Sequence, residues 1–255
     1  MKRTINLLFA LLTAVVSLPS CTGSDVEKPK YLWMCIDANF ERFSHKDSIC
    51  YYLDKAKETG FNQVVVDVRG VDGLVLYESD ILPKLVEVDG FRCERDWDYL
   101  QYFLDQAKER GLKVTVSATV FPAGSQYHDR GLVFEDPSVA EMTCVEYTPS
   151  GMMKIEDDES KVAAFLNPVL PQAREHAMSV IRELLTKYDF DGYCLDYCRF
   201  PDGQSDFSQA TREAFEKYIG EEVENFPQDI YSYAEDGSRV PGKFYKKWWG
   251  FRSMV

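Results

Sequence analysis

Residues Ser44 to Val68 read SHKDSICYYLDKAKETGFNQVVVDV, and this stretch decides the fold class. Ser44 offers a side-chain oxygen where a helix N-cap is wanted. Ile49, Tyr52, Leu53 and Ala56 recur at helical spacing, and Gly60 supplies the stop, so the pattern predicts a helix over 44–59. The period then changes at once. Phe61 to Val68 (FNQVVVDV) is β-branched and apolar, as expected of a strand covered on both faces. A helix that stops at glycine and feeds a buried strand is one half of a parallel-sheet unit.

The same alternation extends in both directions. Tyr31 to Ile36 (YLWMCI) predicts a first strand. Arg95 to Arg110 predicts a second helix, with Leu100, Phe103, Leu104 and Ala107 on one stripe and Gly111 ending it. Leu112 to Phe121 (LKVTVSATVF) predicts a third strand. Pro168 to Tyr188 predicts a long helix with Ala177, Val180, Ile181, Leu184 and Leu185 inward, and Phe190 to Leu195 a fourth strand. Strand and helix alternate in the manner of right-handed βαβ units, which defines an α/β class. A long insertion, Pro122 to Asn167, follows strand three. It holds an expected hairpin (Met142–Thr148 and Met152–Ile155) and an acidic run, Glu156 to Glu159, read as a solvated loop ahead of a calcium site. Beyond strand four, Asp206–Ile219 and Lys243–Val255 predict helices around a polar loop, Glu221–Gly242. Phe244, Trp248 and Phe251 share a stripe, so Trp248 and Trp249 read as core before sugar-stacking platforms.

The N-terminus is a separate module. Lys2 and Arg3 precede an apolar run from Ile5 to Leu18, too short to span a membrane as a helix and of signal-peptide length. It ends Leu18-Pro19-Ser20-Cys21, which resembles a bacterial lipobox. The expectation is a signal peptide over 1–20, lipidation at Cys21, a tether over 21–30 and an exported body over 31–255 held at the cell envelope by a lipid anchor.

The chain carries 29 Lys and Arg against 42 Asp and Glu, a net charge of −13. That surface repels phosphate backbones, which argues against nucleic acid as a partner, and suits neutral or cationic ligands. The seven cysteines show no zinc-site spacing. No cofactor is expected. Cys194 and Cys198 on one strand would stand ~13 Å apart, so they are not paired, and most of the cysteines read as buried small hydrophobes.

In parallel βα architectures the chemistry gathers where strands end. Strand one ends at Asp37-Ala38-Asn39. Strand two carries Asp67 and Arg69. Strand four ends Asp196-Tyr197-Cys198-Arg199. Asp196 leaves a short buried run, so its carboxylate needs a cation or a hydrogen bond, with Arg199, Arg69 and Tyr197 at hand. It reads either as a carboxylate that attacks or stabilises an oxocarbenium-like centre or as a structural Asp fixing the loop. His128, alone in its loop, is a possible donor to sugar hydroxyls.

Phe61 to Leu82, with Pro83, resembles the second-strand motif of the family-10-like glycosyl hydrolase domain of bacterial lipoproteins, where a VxVR-type strand end leads to an LYxSxxxP loop. Leu166-Asn167-Pro168 and Asp191-Gly192-Tyr193-Cys194-Leu195-Asp196-Tyr197-Cys198-Arg199-Phe200-Pro201 are similar to its LNP…DGIHxDYxRYP signature. Strand four is also loosely similar to the α-amylase nucleophile strand, with Cys194 where amylases carry Arg. The resemblance implies a TIM (β/α)8 barrel and a carbohydrate substrate. It marks Asp196 as the lead carboxylate, with Asp67, Arg69, Asn167, Tyr197 and Arg199 beside it and Asp37 and Asn39 further out. Arg69 also reads as a strut across the barrel mouth, and Asn167 as a helix N-cap before Pro168.

The 255 residues nominally suffice for a barrel of ~250. Only about four βα units are counted, however, so the expectation is the N-terminal portion of a barrel, apparently truncated. The expected function is hydrolysis of O-glycosidic bonds in an envelope, dietary or environmental oligosaccharide. The alternative is a catalytically incomplete carbohydrate binder or truncated pseudoenzyme. A homodimer that completes the sheet is the remaining reading.

Overall fold

A computed structural model describes residues 28–255, leaving the side chains of Ile36 and Asp37 aside. The expected signal peptide, Cys21 and tether residues 21–27 lie outside the described residues. Four strands build the central sheet: β1 (Tyr31–Met34), β2 (Gln63–Arg69), β3 (Lys113–Thr119) and β4 (Gly192–Asp196). All three pairings are parallel, and the spatial order follows the chain. Sequential order separates this sheet from a doubly wound one, whose order reverses at a switch point. The crossover helices are α1 (Lys46–Glu58), α2 (Tyr99–Glu109) and α3 (Pro171–Lys187). This is the N-terminal portion of a (β/α)8 arrangement, and among the described residues the sheet does not close. Among the described residues, the outer edges of β1 and β4 have no strand partner.

The period of two divides the sheet into two faces. Val64, Val66 and Val68 of β2 and Val114, Val116 and Ala118 of β3 point to the helices. They meet Ile49 and Leu53 of α1, Leu100 and Phe103 of α2, and Val180 and Leu184 of α3 in one core. Trp33, Val65, Asp67, Thr115, Ser117, Cys194 and Asp196 take the other, inner face. Its register is Trp33↔Val65, Asp67↔Ser117↔Cys194 and Thr119↔Asp196.

Residues 200–255 build a second core rather than covering β4. Helices α4 (Gln209–Ile219) and α5 (Tyr245–Arg252) enclose Phe207, Phe215, Tyr231, Phe244, Trp248 and Phe251. Trp248 is fully buried, stacked on Phe207 at 4.9 Å and edge-on to Phe215 at 4.9 Å. The segment expected as a plain loop contains a short hairpin, Tyr231–Tyr233 with Arg239–Pro241.

Element ends differ from the sequence reading for local reasons. The first strand stops at Met34 because Ile36–Asn39 turns into a short helix. His45, not Ser44, is the N-cap of α1, and the Ser44 hydroxyl instead donates to the Phe40 carbonyl at 2.6 Å. Helix α2 begins four residues later than expected because Asp98 caps it by accepting the Gln101 N–H. Helix α3 begins at Pro171, whose ring fits the first turn. Leu185 of α3, expected inward, is exposed, while Glu183 is buried. The cysteines also depart from expectation: Cys144 alone of the six described is buried, and Cys35 and Cys198 are exposed.

Candidate active site

The inner face carries the strand-end carboxylates. Asp196 ends β4, and its Oδ1 accepts the backbone N–H of Tyr197 at 2.8 Å. The Asp196 carbonyl accepts the Val120 N–H at 2.8 Å, which pins the strand end to the start of the insertion. Tyr197 then adopts φ +49°, a left-handed conformation rare and costly for a bulky residue. That kink throws the chain outward directly after Asp196 and leaves its carboxylate at the rim. The Tyr197 ring is held edge-on by Phe165 at 5.6 Å, and the Arg199 guanidinium lies over it at 5.1 Å.

Asp67 stands on the same face. Trp33 Nε1 donates to its Oδ1 at 2.8 Å, and the Trp33 side chain is about half exposed, at 49%. A half-exposed indole beside a carboxylate offers a sugar both a stacking face and an acceptor for hydroxyls. Sequence reasoning passed over Trp33. The signal was its strand phase: it is one residue from Met34, which faces the helices. Cys194 lies on the inner face beside these carboxylates. Burial raises its thiol above the ordinary value, and the charges of Asp196 and Asp67 add to that, while Ser117 opposes it. It therefore remains a neutral thiol.

Two residues expected at the site face elsewhere. A bulge separates Asp67 from Arg69 in the β2–β3 register, so Arg69 falls opposite Ala118, whose side chain faces the helices, and not opposite the inner-face Thr119. Arg69 is buried, and its Nη1 donates to the Thr119 carbonyl and hydroxyl oxygens at 2.5 and 2.9 Å. Asn167 is buried as well. Its amide donates to Asp206 Oδ2, Ser208 Oγ and Thr211 Oγ1, and its Oδ1 accepts the Val169 N–H. It ties the insertion to the start of α4 and does not cap a helix at Pro168. Asn167 presents no free group to an inner-face ligand, and the Arg69 Nε and Nη2 groups are buried without a hydrogen-bond partner among the described residues.

Asn39 lies off the inner face, in a hollow of about 540 Å³ shared with Arg42, His45 and Asp89. Its amide donates to the Cys35 carbonyl, and its Oδ1 accepts from Arg42. Asp37 falls in the Ile36–Asn39 turn, and its side chain lies outside the described residues. His128 Nδ1 approaches Asp89 at 3.5 Å. Glu156 of the acidic run accepts from the Thr143 hydroxyl at 3.0 Å and sits 3.7 Å from Lys154. Among the described residues no three His, Cys, Asp or Glu side chains cluster to hold a metal ion.

An inner face with a strand-end carboxylate, a second carboxylate and a half-exposed indole is suited to hydroxyl-rich ligands, and the fold is that of the first half of a (β/α) barrel. Together these define a carbohydrate-active class of protein. The glycosyl hydrolase-like 10 family matches residues 30–249, and the chain belongs to that family. It is similar to an S-layer-related protein of Niallia circulans, 31% identical over 244 residues. That match covers 91% of this chain and 15% of the relative, so the chain spans less than a sixth of the relative's length. Among solved structures, the glycoside hydrolase domain of PgaB (BpsB) from Bordetella bronchiseptica superposes with a TM-score of 0.52 at 16% identity, over 75% of this chain and 50% of that one. A hypothetical protein from Ruminiclostridium thermocellum ATCC 27405 gives a TM-score of 0.48 at 21% identity, over 74% of this chain and 88% of that one.

Proposed function

We propose that the chain carries the glycan-handling face of a glycoside hydrolase acting on O-glycosidic bonds of an envelope, dietary or environmental oligosaccharide, with Asp196 as its central carboxylate. The observation that carries this reading is the placement of Asp196. The left-handed Tyr197 holds it at the rim of β4, on the face that also presents Asp67 and Trp33. A carboxylate there can stabilise or attack an oxocarbenium-like centre while Trp33 stacks on a neighbouring ring. The test is turnover by the chain on a panel of nitrophenyl glycosides and polysaccharides. Asp196→Asn is expected to lower kcat by at least about a hundredfold. Unchanged turnover in that variant would remove Asp196 from the mechanism.

A second reading, glycan binding without turnover, is favoured by the spacing of the two carboxylates. Asp67 and Asp196 stand two strands and two residues apart, or about 12 Å between Cα atoms. The ~5–5.5 Å of retaining pairs and the ~6.5–9.5 Å of inverting pairs are carboxyl-to-carboxyl separations, and a backbone span of about 12 Å does not by itself set either pair in place. If Asp67 partners Asp196 in turnover, NMR of the initial product reads retention or inversion of the anomer directly. Binding on the panel with no turnover supports the second reading.

The lipobox-like segment and the S-layer-related relative support placement at the cell envelope. Radiolabelled palmitate should enter the full chain, and Cys21→Ser should abolish the labelling.

A further inference from the structure

A cavity of about 460 Å³ opens beside the Asp196 strand end, lined among others by Phe121, Arg174, Arg199, Phe200, Trp249 and Arg252. Its size is that of a small-ligand site. Three guanidinium groups line it and no aspartate or glutamate side chain does, and Val255, the last residue of the sequence, also lines it. In a chain with 13 more acidic than basic side chains, this is where compensation would be expected. Elsewhere Arg92, Arg110, Arg130, Arg182 and Arg212 each have a carboxylate within 4 Å, while among the described residues Arg42, Arg69, Arg95 and Arg239 do not. Among the described residues the three cavity arginines have none.

Each is held by backbone carbonyls instead. Arg174 Nε donates to the Pro168 carbonyl, Arg199 Nη1 to those of Phe200 and Pro201, and Arg252 Nη2 to that of Asp202. A carbonyl fixes a guanidinium in place without cancelling its charge, and it leaves other N–H groups for a ligand. Arg252 is further stiffened by stacking on Phe200 at 4.4 Å and Trp249 at 5.1 Å. Its Nη1 is buried with no hydrogen-bond partner among the described residues. The nearby Asp202 carboxylate is already engaged by Lys161 at 2.6 Å. Arg199 lies three residues past Asp196 and rests on Tyr197, so the cavity adjoins the proposed reaction centre.

We propose that this cavity is a subsite for an anionic sugar, one bearing a carboxylate or a sulfate or phosphate ester. The inference rests on the glycan reading and narrows its substrate class. It also runs against the long-range charge of the chain, which repels polyanions. The attraction is therefore short-range, from donors already pointed at the anion.

Calorimetric titration of the full chain with trigalacturonate, a sulfated carrageenan tetrasaccharide and neutral galactotriose tests it. At least one charged probe should bind tenfold or more tightly than galactotriose, and the one that does identifies the anionic group. Arg174→Gln and Arg199→Gln should each weaken that probe at least fivefold. Both side chains are exposed, so the melting temperature should hold and a folding defect be recognised if it does not. Equal affinity for neutral and charged probes, no binding of either charged probe, or unchanged affinity in both well-folded variants overturns the subsite. Asp196-dependent turnover of neutral glycosides alongside such a result leaves the glycan reading standing and removes only the anionic subsite. Loss of both overturns the two together.

Discussion

The half-buried His176 and the buried Glu146 are titratable side chains with opposite responses to pH. Burial, and then the charge of Arg69, push the His176 imidazole down from 6.5 to about 4. The unfolded chain therefore binds the proton more tightly, so the contribution of His176 to stability is complete above 6.5 and is lost as pH falls through 4. Burial pushes the Glu146 carboxyl up from 4.5 to about 7, against hydrogen bonds from Ser205 and Lys161. Here the native state binds the proton more tightly. The contribution of Glu146 is complete below 4.5 and is lost as pH rises through 7. Between pH 4.5 and 6.5 the two slopes oppose each other. In thermal melts across pH 4–8, Glu146→Gln should steepen the loss of stability toward acid, and His176→Gln should flatten it. Parallel curves for all three proteins would contradict both assignments. Neither residue stood out in the sequence. A glutamate in a hairpin and a histidine on a helix become buried only through segments distant in the chain.

At the scale of elements, the LYxS motif serves as a clamp. Tyr77 Oη donates to Glu183 Oε2 at 3.1 Å, Ser79 Oγ donates to the same oxygen at 2.6 Å, and the Asp80 N–H donates to Oε1 at 2.6 Å. The loop after β2 is thereby fastened to α3. Burial opposes the Glu183 charge, but the hydrogen bonds from Ser79 and Asp80 outweigh it and hold the carboxyl below its ordinary value. Glu183→Ala leaves several buried donors unmet and should cost about 3 kcal/mol in denaturant unfolding, whereas the exposed Leu185→Lys should stay within about 0.5 kcal/mol. In the second core, Trp248→Ala should cost about 4 kcal/mol. Trp248→Phe should cost much less, because the buried indole N–H has no partner among the described residues. The helical periods made α1 to α5 legible. They did not show that Glu183 would take the inward place assigned to Leu185, because a loop rather than the sheet covers that position.

For the whole molecule, the open sheet and the net charge of −13 act against each other. Leu195 points to the outer side of β4, where α4 and α5 leave it 49% exposed, next to a strand edge with no partner among the described residues. Apolar edges of this kind promote strand-to-strand association, and like charge on each copy opposes it. Salt screens the repulsion and not the edge. Light scattering should therefore show association that grows from 20 to 500 mM salt and is suppressed by Leu195→Lys. A particle of constant mass across that range would rule out edge pairing.

The sequence by itself determined the α/β class, the chain order of four strands, the family resemblance and the position of Asp196 at a strand end. All of these rest on local periodicity and on short motifs read along the chain. Tertiary structure alone decided which face each motif residue serves. One bulge between Asp67 and Arg69 sends the first to the inner face and the second beneath the helices. Asn167 is drawn into a polar network 39–44 residues away in the chain. Three arginines at positions 174, 199 and 252 meet in one cavity. The physical reason is the same in each case. A strand's register and a side chain's burial are set by partners remote in sequence, and no local period records them.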